Sequence, residues 1–339
     1  MNHILFGPLP INRPGGITSL FKDYCIYLNN KGIDIEVVNT NFTSTSIFKG
    51  LITIIKCLIK NRNSNSYIGI HATYKDVKYI LPLIIFLKGS KQPLYIRKFA
   101  GDFWERFNLE SFIFKKLILY TLRKTDLLFF ECKYLIEEGN CYNIKSLWWP
   151  NSRSKPTSKL FNTKSFTPKF IFIGTINQDK GVSMLIELAR RNSSMQIDIV
   201  GPIQESLFKT VFEKNEIKNV KYLGIVEYDL IQELLTNYSA LLLPTKYKSE
   251  GYPGVLIEAL STNTPVISTR IGGIPEIISN QINGFLMESW TIEELEKCIN
   301  LLEQNYDVIQ NTIPLSFDSF NSSVVYENCL EIIQGITYQ

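Results

Sequence analysis

The chain has 339 residues, 45% hydrophobic and 20% charged, which is long enough for two domains of ordinary size and excludes a disordered protein. Its six cysteines are scattered without a C-x-x-C pair and its only histidines are His3 and His71, so neither a disulfide framework nor a metal site is expected. The net charge of +4 is unevenly laid out. Residues 1–150 hold 20 Lys and Arg against 11 Asp and Glu, a balance of +9, and residues 151–339 hold 16 against 21, a balance of −5. A basic first half points to a face that meets something anionic.

No stretch of twenty residues is uniformly apolar, and the start of the chain has neither a basic leader nor an apolar run of signal-peptide length. A cytoplasmic location is therefore expected. In chain order, β-rich runs at 3–6, 35–38, 67–71, 94–97, 127–131 and 144–149 alternate with helical patterns at 17–30, 47–60, 76–87 and 111–123. Strands separated by helices of this length imply a parallel α/β sheet. The periodicity then fails over a polar stretch, and residues 151–168 are read as a linker between domains 1–150 and 169–339. Beyond it the alternation resumes, with strands at 170–173, 196–200, 220–223, 240–244 and 265–268. Helices follow at 181–191, 228–237, 254–261 and 291–303. Two such units in succession imply two Rossmann-like domains facing each other across a ligand cleft, bounded by strand C-terminal ends. The last helix is expected to pack back on the first domain.

The stretch richest in chemistry is Ser249-Glu250-Gly251-Tyr252-Pro253-Gly254-Val255-Leu256-Ile257-Glu258. Two carboxylates eight apart bracket a glycine and a helix start, with Pro253 suited to the first helical turn. The N–H groups of Gly254 and Val255 form a ready anion site there, fit for a diphosphate. An earlier segment, Phe170-Ile171-Phe172-Ile173-Gly174-Thr175, runs a strand into a glycine, and Lys180-Gly181 opens the next helix. Near the start, Gly15-Gly16 follows the first strand and precedes a helix. Asp102, after Phe99-Ala100-Gly101, reads equally as a weak base or as a helix cap. His71 reads as a partly buried structural histidine.

The segment around Glu250 resembles the family-4 glycosyltransferases of the GT-B fold. Their E-x7-E pattern falls on Glu250 and Glu258, and their E-G-x-P core on Glu250-Gly251-Tyr252-Pro253. Their glycine-rich loop falls on Gly272-Gly273, where backbone would approach the nucleotide, and their N-G-x-L turn on Asn283-Gly284-Phe285-Leu286. The resemblance implies a retaining, metal-independent enzyme without a cofactor, moving a sugar from a UDP- or GDP-sugar to a glycan or lipid-linked saccharide in surface polysaccharide synthesis. It implies that Glu258 holds the donor ribose, Glu250 the donor sugar and Lys180 the diphosphate. It extends the donor site over Gly15, Gly16, Gly174, Thr175, Gly251, Tyr252, Pro253, Gly254 and Val255, with Asp102 as a weak base.

The chain departs from the family at Thr175, where an arginine is usual, and at Phe99, near a usual histidine. Lys246, Lys248 and Arg270 are candidates to replace the missing charge. The departures also motivate an alternative, a nucleotide-sugar-binding partner subunit without catalysis. Helices 47–60 and 112–124 combine apolar stripes with lysines; each reads as a core-facing helix with solvated lysines or, given the basic first half, as a surface for peripheral contact with an anionic membrane at its cytoplasmic face. Nucleic-acid binding is not expected, since no basic-aromatic motif stands out.

Overall fold

The computed structural model describes residues 2–10, 16–42, 47–156, 164–214 and 217–336. The chain divides into two units, residues 1–151 with 325–339, and residues 152–324.

In the first unit the elements run β1 (Asn2–Gly7), α1 (Gly16–Asn30), β2 (Asp34–Asn39), α2 (Ile47–Asn61), β3 (Tyr67–Ala72), α3 (Leu81–Leu87) and β4 (Leu94–Lys98). They continue with α4 (Phe103–Asn108), α5 (Phe112–Arg123), β5 (Leu127–Phe130), α6 (Lys133–Asn140) and β6 (Leu147–Trp148). The six strands form one parallel sheet in the order β2-β1-β3-β4-β5-β6. Strands β3 and β4 are buried throughout, as a parallel sheet covered on both faces requires.

The expected helix 76–87 is broken into a π-helical turn, Asp76–Ile80, that runs into α3. Pro82 is the physical reason. It has no N–H to return to the preceding turn, so the ladder widens in the turn before the proline.

The second unit runs β7 (Lys169–Ile173), α7 (Val182–Arg191), β8 (Gln196–Val200), α8 (Ser206–Lys214), β9 (Val220–Tyr222), α9 (Ile231–Leu235) and β10 (Ala240–Leu243). It continues with α10 (Gly254–Ser261), β11 (Val266–Thr269), β12 (Gly284–Met287), α11 (Ile292–Gln304) and α12 (Tyr306–Phe317). Its six strands are also parallel, in the order β12-β11-β10-β7-β8-β9. The stretch read as an N-G-x-L turn instead opens β12, with Gly284 to Met287 paired along Val266 to Thr269. The turn lies just before it, closed by Asn283. The Asn283 side chain accepts from the Ser279 N–H at 2.8 Å and donates to the Ile277 carbonyl at 2.9 Å.

Helix α13 (Ser322–Gln334) ends the described chain, and from Val325 onward it belongs to the first unit. There Val325, Tyr326, Cys329, Leu330 and Ile333 join a buried cluster with Tyr24, Leu28, Tyr95 and Trp149.

Candidate functional site

In the second sheet the chain builds β7, β8 and β9 outward in one direction. It then returns to lay β10, β11 and β12 on the other side of β7. The connections leaving β7 and β10 therefore diverge from neighbouring strand ends, and such a reversal opens a crevice at the carboxyl edge of a parallel sheet. Both chemistry-bearing stretches leave from this edge.

The loop after β7 is held by local hydrogen bonds. The Gly174 N–H donates to the Val200 carbonyl at 3.0 Å, and the Lys180 N–H to Asn177 Oδ1 at 2.8 Å. Gly181 then turns into α7 with φ +80°. A Cβ there would stand 2.1 Å from the Pro244 carbonyl oxygen, so only glycine lets this helix start lie against the end of β10.

The loop after β10 brings Thr245 and Glu250 to the same place. Thr245 Oγ1 lies 3.1 Å from Glu250 Oε1 and 3.2 Å from the Asp179 carbonyl, and the Lys246 N–H donates to that carbonyl at 2.7 Å. The Lys180 ammonium forms an ion pair with Glu250 Oε1 and lies 5.1 Å from the Tyr247 ring centre. Glu250 is buried while Lys180 is partly open, so the pair is shielded from screening on one side only. Gly272, at φ +55°, is a second glycine that conformation demands in these loops. Its added Cβ would lie 1.8 Å from the Glu250 carbonyl oxygen, so the group that Gly272 approaches is the backbone of Glu250 itself.

Helix α10 begins at Gly254, and Pro253 is the residue before it, at φ −60° and ψ 116°, one position earlier than a first-turn proline. Tyr252 is buried, and its hydroxyl is hydrogen-bonded to Glu276. Glu258 lies one turn into α10, where Arg153 Nε donates to its Oε1 at 2.6 Å. Of the cations considered as substitutes for the charge missing at Thr175, Arg270 is engaged with Glu288 at 2.6 Å and Lys246 lies over Trp290 at 4.9 Å. Lys248 is exposed. Arg153 is the cation that sequence reasoning missed. It sits in the stretch read as linker, about a hundred residues from its carboxylate, where no local pattern marks it.

Gly16 and Asp102 belong to the first unit, and Gly15 lies outside the described residues. Gly16 opens α1 at φ +29°. Asp102 occupies the cap position of α4 without a side-chain cap bond; its carboxylate accepts from Arg106 Nε at 2.6 Å. Just before it, Ala100 adopts φ +74° and its N–H is held by Glu131 Oε1 at 2.8 Å. Lys98 is buried beside these groups. Burial lowers its pKa to about 8, against the pull of Glu131, Asp102 and Asp76. His71 is fully buried among Phe21, Tyr24, Phe99 and Trp149, and burial followed by the Arg97 charge holds it well below the ordinary imidazole range.

Two parallel six-stranded sheets, the second bearing Glu250, Glu258 and Lys180 near its chain reversal, define the class, a two-domain GT-B fold, and a candidate site in the second unit. Comparison with known proteins bears on both. Residues 156–313 match the family model of the glycosyl transferases group 1. HepE of Anabaena, solved in complex with UDP, superposes with a TM-score of 0.75 at 15% identity over 99% of this chain and 100% of that one. An uncharacterized glycosyltransferase of Methanocaldococcus jannaschii is 28% identical over 164 residues, 47% of this chain and 45% of that protein. The lipopolysaccharide 1,6-galactosyltransferase of Escherichia coli is 26% identical over 176 residues, 49% of this chain and 48% of that protein. The chain thus spans about half the length of these curated relatives.

Proposed function

We propose that this chain is a retaining glycosyltransferase that moves a hexose from a UDP- or GDP-sugar to a glycan or lipid-linked saccharide in surface polysaccharide assembly. The observation that carries the reading is the buried Glu250 carboxylate paired with Lys180 beside the start of α10, with Glu258 one turn further on. The Lys180 ammonium and the first N–H groups of α10 suit a departing nucleoside diphosphate, whose negative charge grows as the anomeric carbon–oxygen bond breaks. Glu250 suits the sugar hydroxyls and the positive charge that develops at that carbon. Glu258 suits a ribose diol, since a carboxylate accepts two hydrogen bonds. The new bond forms from the acceptor oxygen to the anomeric carbon on the face the diphosphate leaves, and the acceptor's proton passes to a diphosphate oxygen. All the positive charge in this scheme comes from the protein, so no metal or cofactor is called for.

A UDP-sugar is favoured by the UDP in the Anabaena structure, and a polysaccharide acceptor by the activity named for the Escherichia coli relative. Among the described residues no helix is long and apolar enough to cross a membrane. The first unit nevertheless exposes Phe48 on α2, Phe86 on α3 and Phe112 on α5, three helices packed side by side. Lysines 49, 56, 88 and 116 accompany them, and no carboxylate occurs between Glu36 and Asp76. This surface suits an anionic bilayer that carries the acceptor. Asp102, with one oxygen on Arg106, is assigned to orienting the acceptor hydroxyl.

The test is binding and slow hydrolysis of UDP-, GDP- and ADP-sugars, with Glu258→Ala alongside. One donor that binds, turns over and loses affinity in the variant is the expected result. Binding without turnover, even with lipid-linked acceptor, would favour a catalytically silent subunit, the reading that Thr175 motivates. Absence of any nucleotide-sugar binding would sink both.

A further inference from the structure

Of the four polar atoms of Glu250, three have protein partners. Its N–H donates to the Tyr247 carbonyl and its carbonyl accepts from the Gly273 N–H, both at 3.3 Å. Its two side-chain donors, the Lys180 ammonium and the Thr245 hydroxyl, converge on Oε1. Oε2 accepts nothing among the described residues, although the residue is buried. A buried carboxylate oxygen without a donor is costly, and a sugar hydroxyl would satisfy it.

The direction of Oε2 is not fixed by the glutamate itself. The last torsion of a glutamate side chain is broad and roughly two-fold, so whatever holds Oε1 aims its twin. The two holders differ in stiffness. Lys180 reaches the carboxylate on a flexible four-carbon stem, and the proposed function draws its ammonium towards the diphosphate. Thr245 is branched at Cβ and fully buried. It is also tied twice: its carbonyl accepts from Thr269 Oγ1 at 2.7 Å, and its Oγ1 accepts from the Tyr247 N–H at 3.1 Å.

The Thr245 hydroxyl has one proton and two acceptors in reach, Glu250 Oε1 at 3.1 Å and the Asp179 carbonyl at 3.2 Å. That carbonyl already takes the Lys246 N–H at 2.7 Å. A bond to the charged carboxylate is worth more than a second one to the carbonyl. The stiff donor therefore belongs to Glu250.

We propose that Thr245 is a positioning residue that selects the donor hexose: its hydroxyl, held on Oε1, aims Oε2 at one sugar hydroxyl. Epimers differ in the direction of a single C–O bond, so an acceptor fixed in place takes one and rejects the other. This rests on the reading of Glu250 given above. The alternative is that Thr245 only ties the two loops together.

The test is initial rates of donor hydrolysis in wild type, Thr245→Val and Thr245→Ser. Three epimeric pairs serve as probes: UDP-glucose with UDP-galactose, their N-acetylamino counterparts, and GDP-glucose with GDP-mannose. In the pair that the protein uses, Thr245→Val is expected to cut the kcat/KM ratio of preferred over disfavoured epimer about tenfold. Thr245→Ser keeps the hydroxyl and should recover most of that ratio. A purely structural tie predicts lower stability and an equal loss on both epimers. That result, an unchanged ratio, or no recovery with serine would overturn the proposal. If thermal melts find Thr245→Val unfolded, Thr245→Cys takes its place. Its thiol is a weak donor, so a smaller fall in the ratio is still expected and an equal loss still refutes. Wild type that hydrolyses none of the six donors removes the transferase reading as well. Wild type that hydrolyses a pair without preference removes this proposal alone.

Discussion

Replacing Gly272 with alanine tests how the site is built. The residue sits at φ +55°, and its new Cβ would lie 1.8 Å from the Glu250 carbonyl oxygen, where ordinary contact begins near 3.4 Å. The Glu250 backbone or the 272–273 turn must therefore yield by about 1.6 Å, the difference of those two distances. Left-handed strain adds about 1–2 kcal/mol for a residue with a Cβ. Glu250 is the carboxylate that Lys180 and Thr245 hold, so the shift is transmitted to the group that the proposed function sets beside the donor sugar. A misplacement of 1 Å costs about 100-fold in rate, and Gly272→Ala is expected to lower kcat by about that factor. Gly224 provides the control, because its φ is +78° and an added Cβ meets nothing within 4 Å. Gly224→Ala should lower the melting temperature slightly and leave turnover intact. Initial rates of donor hydrolysis, with thermal melts of both variants, decide the matter. Wild-type turnover in Gly272→Ala would refute the reasoning, and equal rate losses in the two variants would assign the effect to backbone strain alone.

Lys180→Met removes the ammonium that the proposed function assigns to the leaving group, and on that reading should lower kcat about 100- to 1,000-fold, measured by single-turnover transfer. His3 is lowered to about 4, by burial first and then by the N-terminal charge, and His71 is held well below its ordinary value. Between about pH 4 and 6.5 the unfolded chain binds a proton at residue 3 that the folded one does not, so stability rises with pH across that window. The contribution of His3 is about 3 kcal/mol, present in full above 6.5 and lost as pH falls towards 4. The two imidazoles should show no NMR titration between pH 5 and 8, and a midpoint near 6.5 for either would contradict its burial. Vesicles of phosphatidylglycerol should bind the protein at low salt where phosphatidylcholine vesicles do not. Phe48→Ser with Phe112→Ser should weaken that binding about tenfold, read by co-sedimentation.

The alternation of apolar runs made both sheets legible, since a strand buried on two faces has a pattern that needs no partner to be seen. The places of Lys180 and Glu250 in loops that follow strands, and of Glu258 inside the helix that follows, were legible for a related reason: each is set by one local segment. What escaped depends on distance. The polar stretch after Pro150 looks like linker residue by residue, and only the fold brings Arg153 onto α10. Gly272 advertised a tight approach, but the partner in that approach, Glu250, is set by tertiary packing. Pro82 could have been recognised as an interruption of helix 76–87, because its missing N–H is a local property. Helix α6 offered no long apolar stripe, with Leu135 and Gly139 its buried residues.

The return of α13 also bears on the order in which the protein forms as it is made. The first unit is the first to leave the ribosome, yet its core includes Tyr326, Cys329, Leu330 and Ile333. Between residues 151 and 325 the ribosome adds 174 residues, which takes roughly 10–35 s at bacterial-like elongation rates. During that interval Tyr24, Leu28 and Trp149 lack the side chains that later cover them, while the second unit, made afterwards, has all of its own contacts to hand. Synthesis from the N-terminus thus leaves the earliest-made half the last to be finished, and a nascent chain stalled before residue 325 would expose an aromatic surface for chaperones to hold.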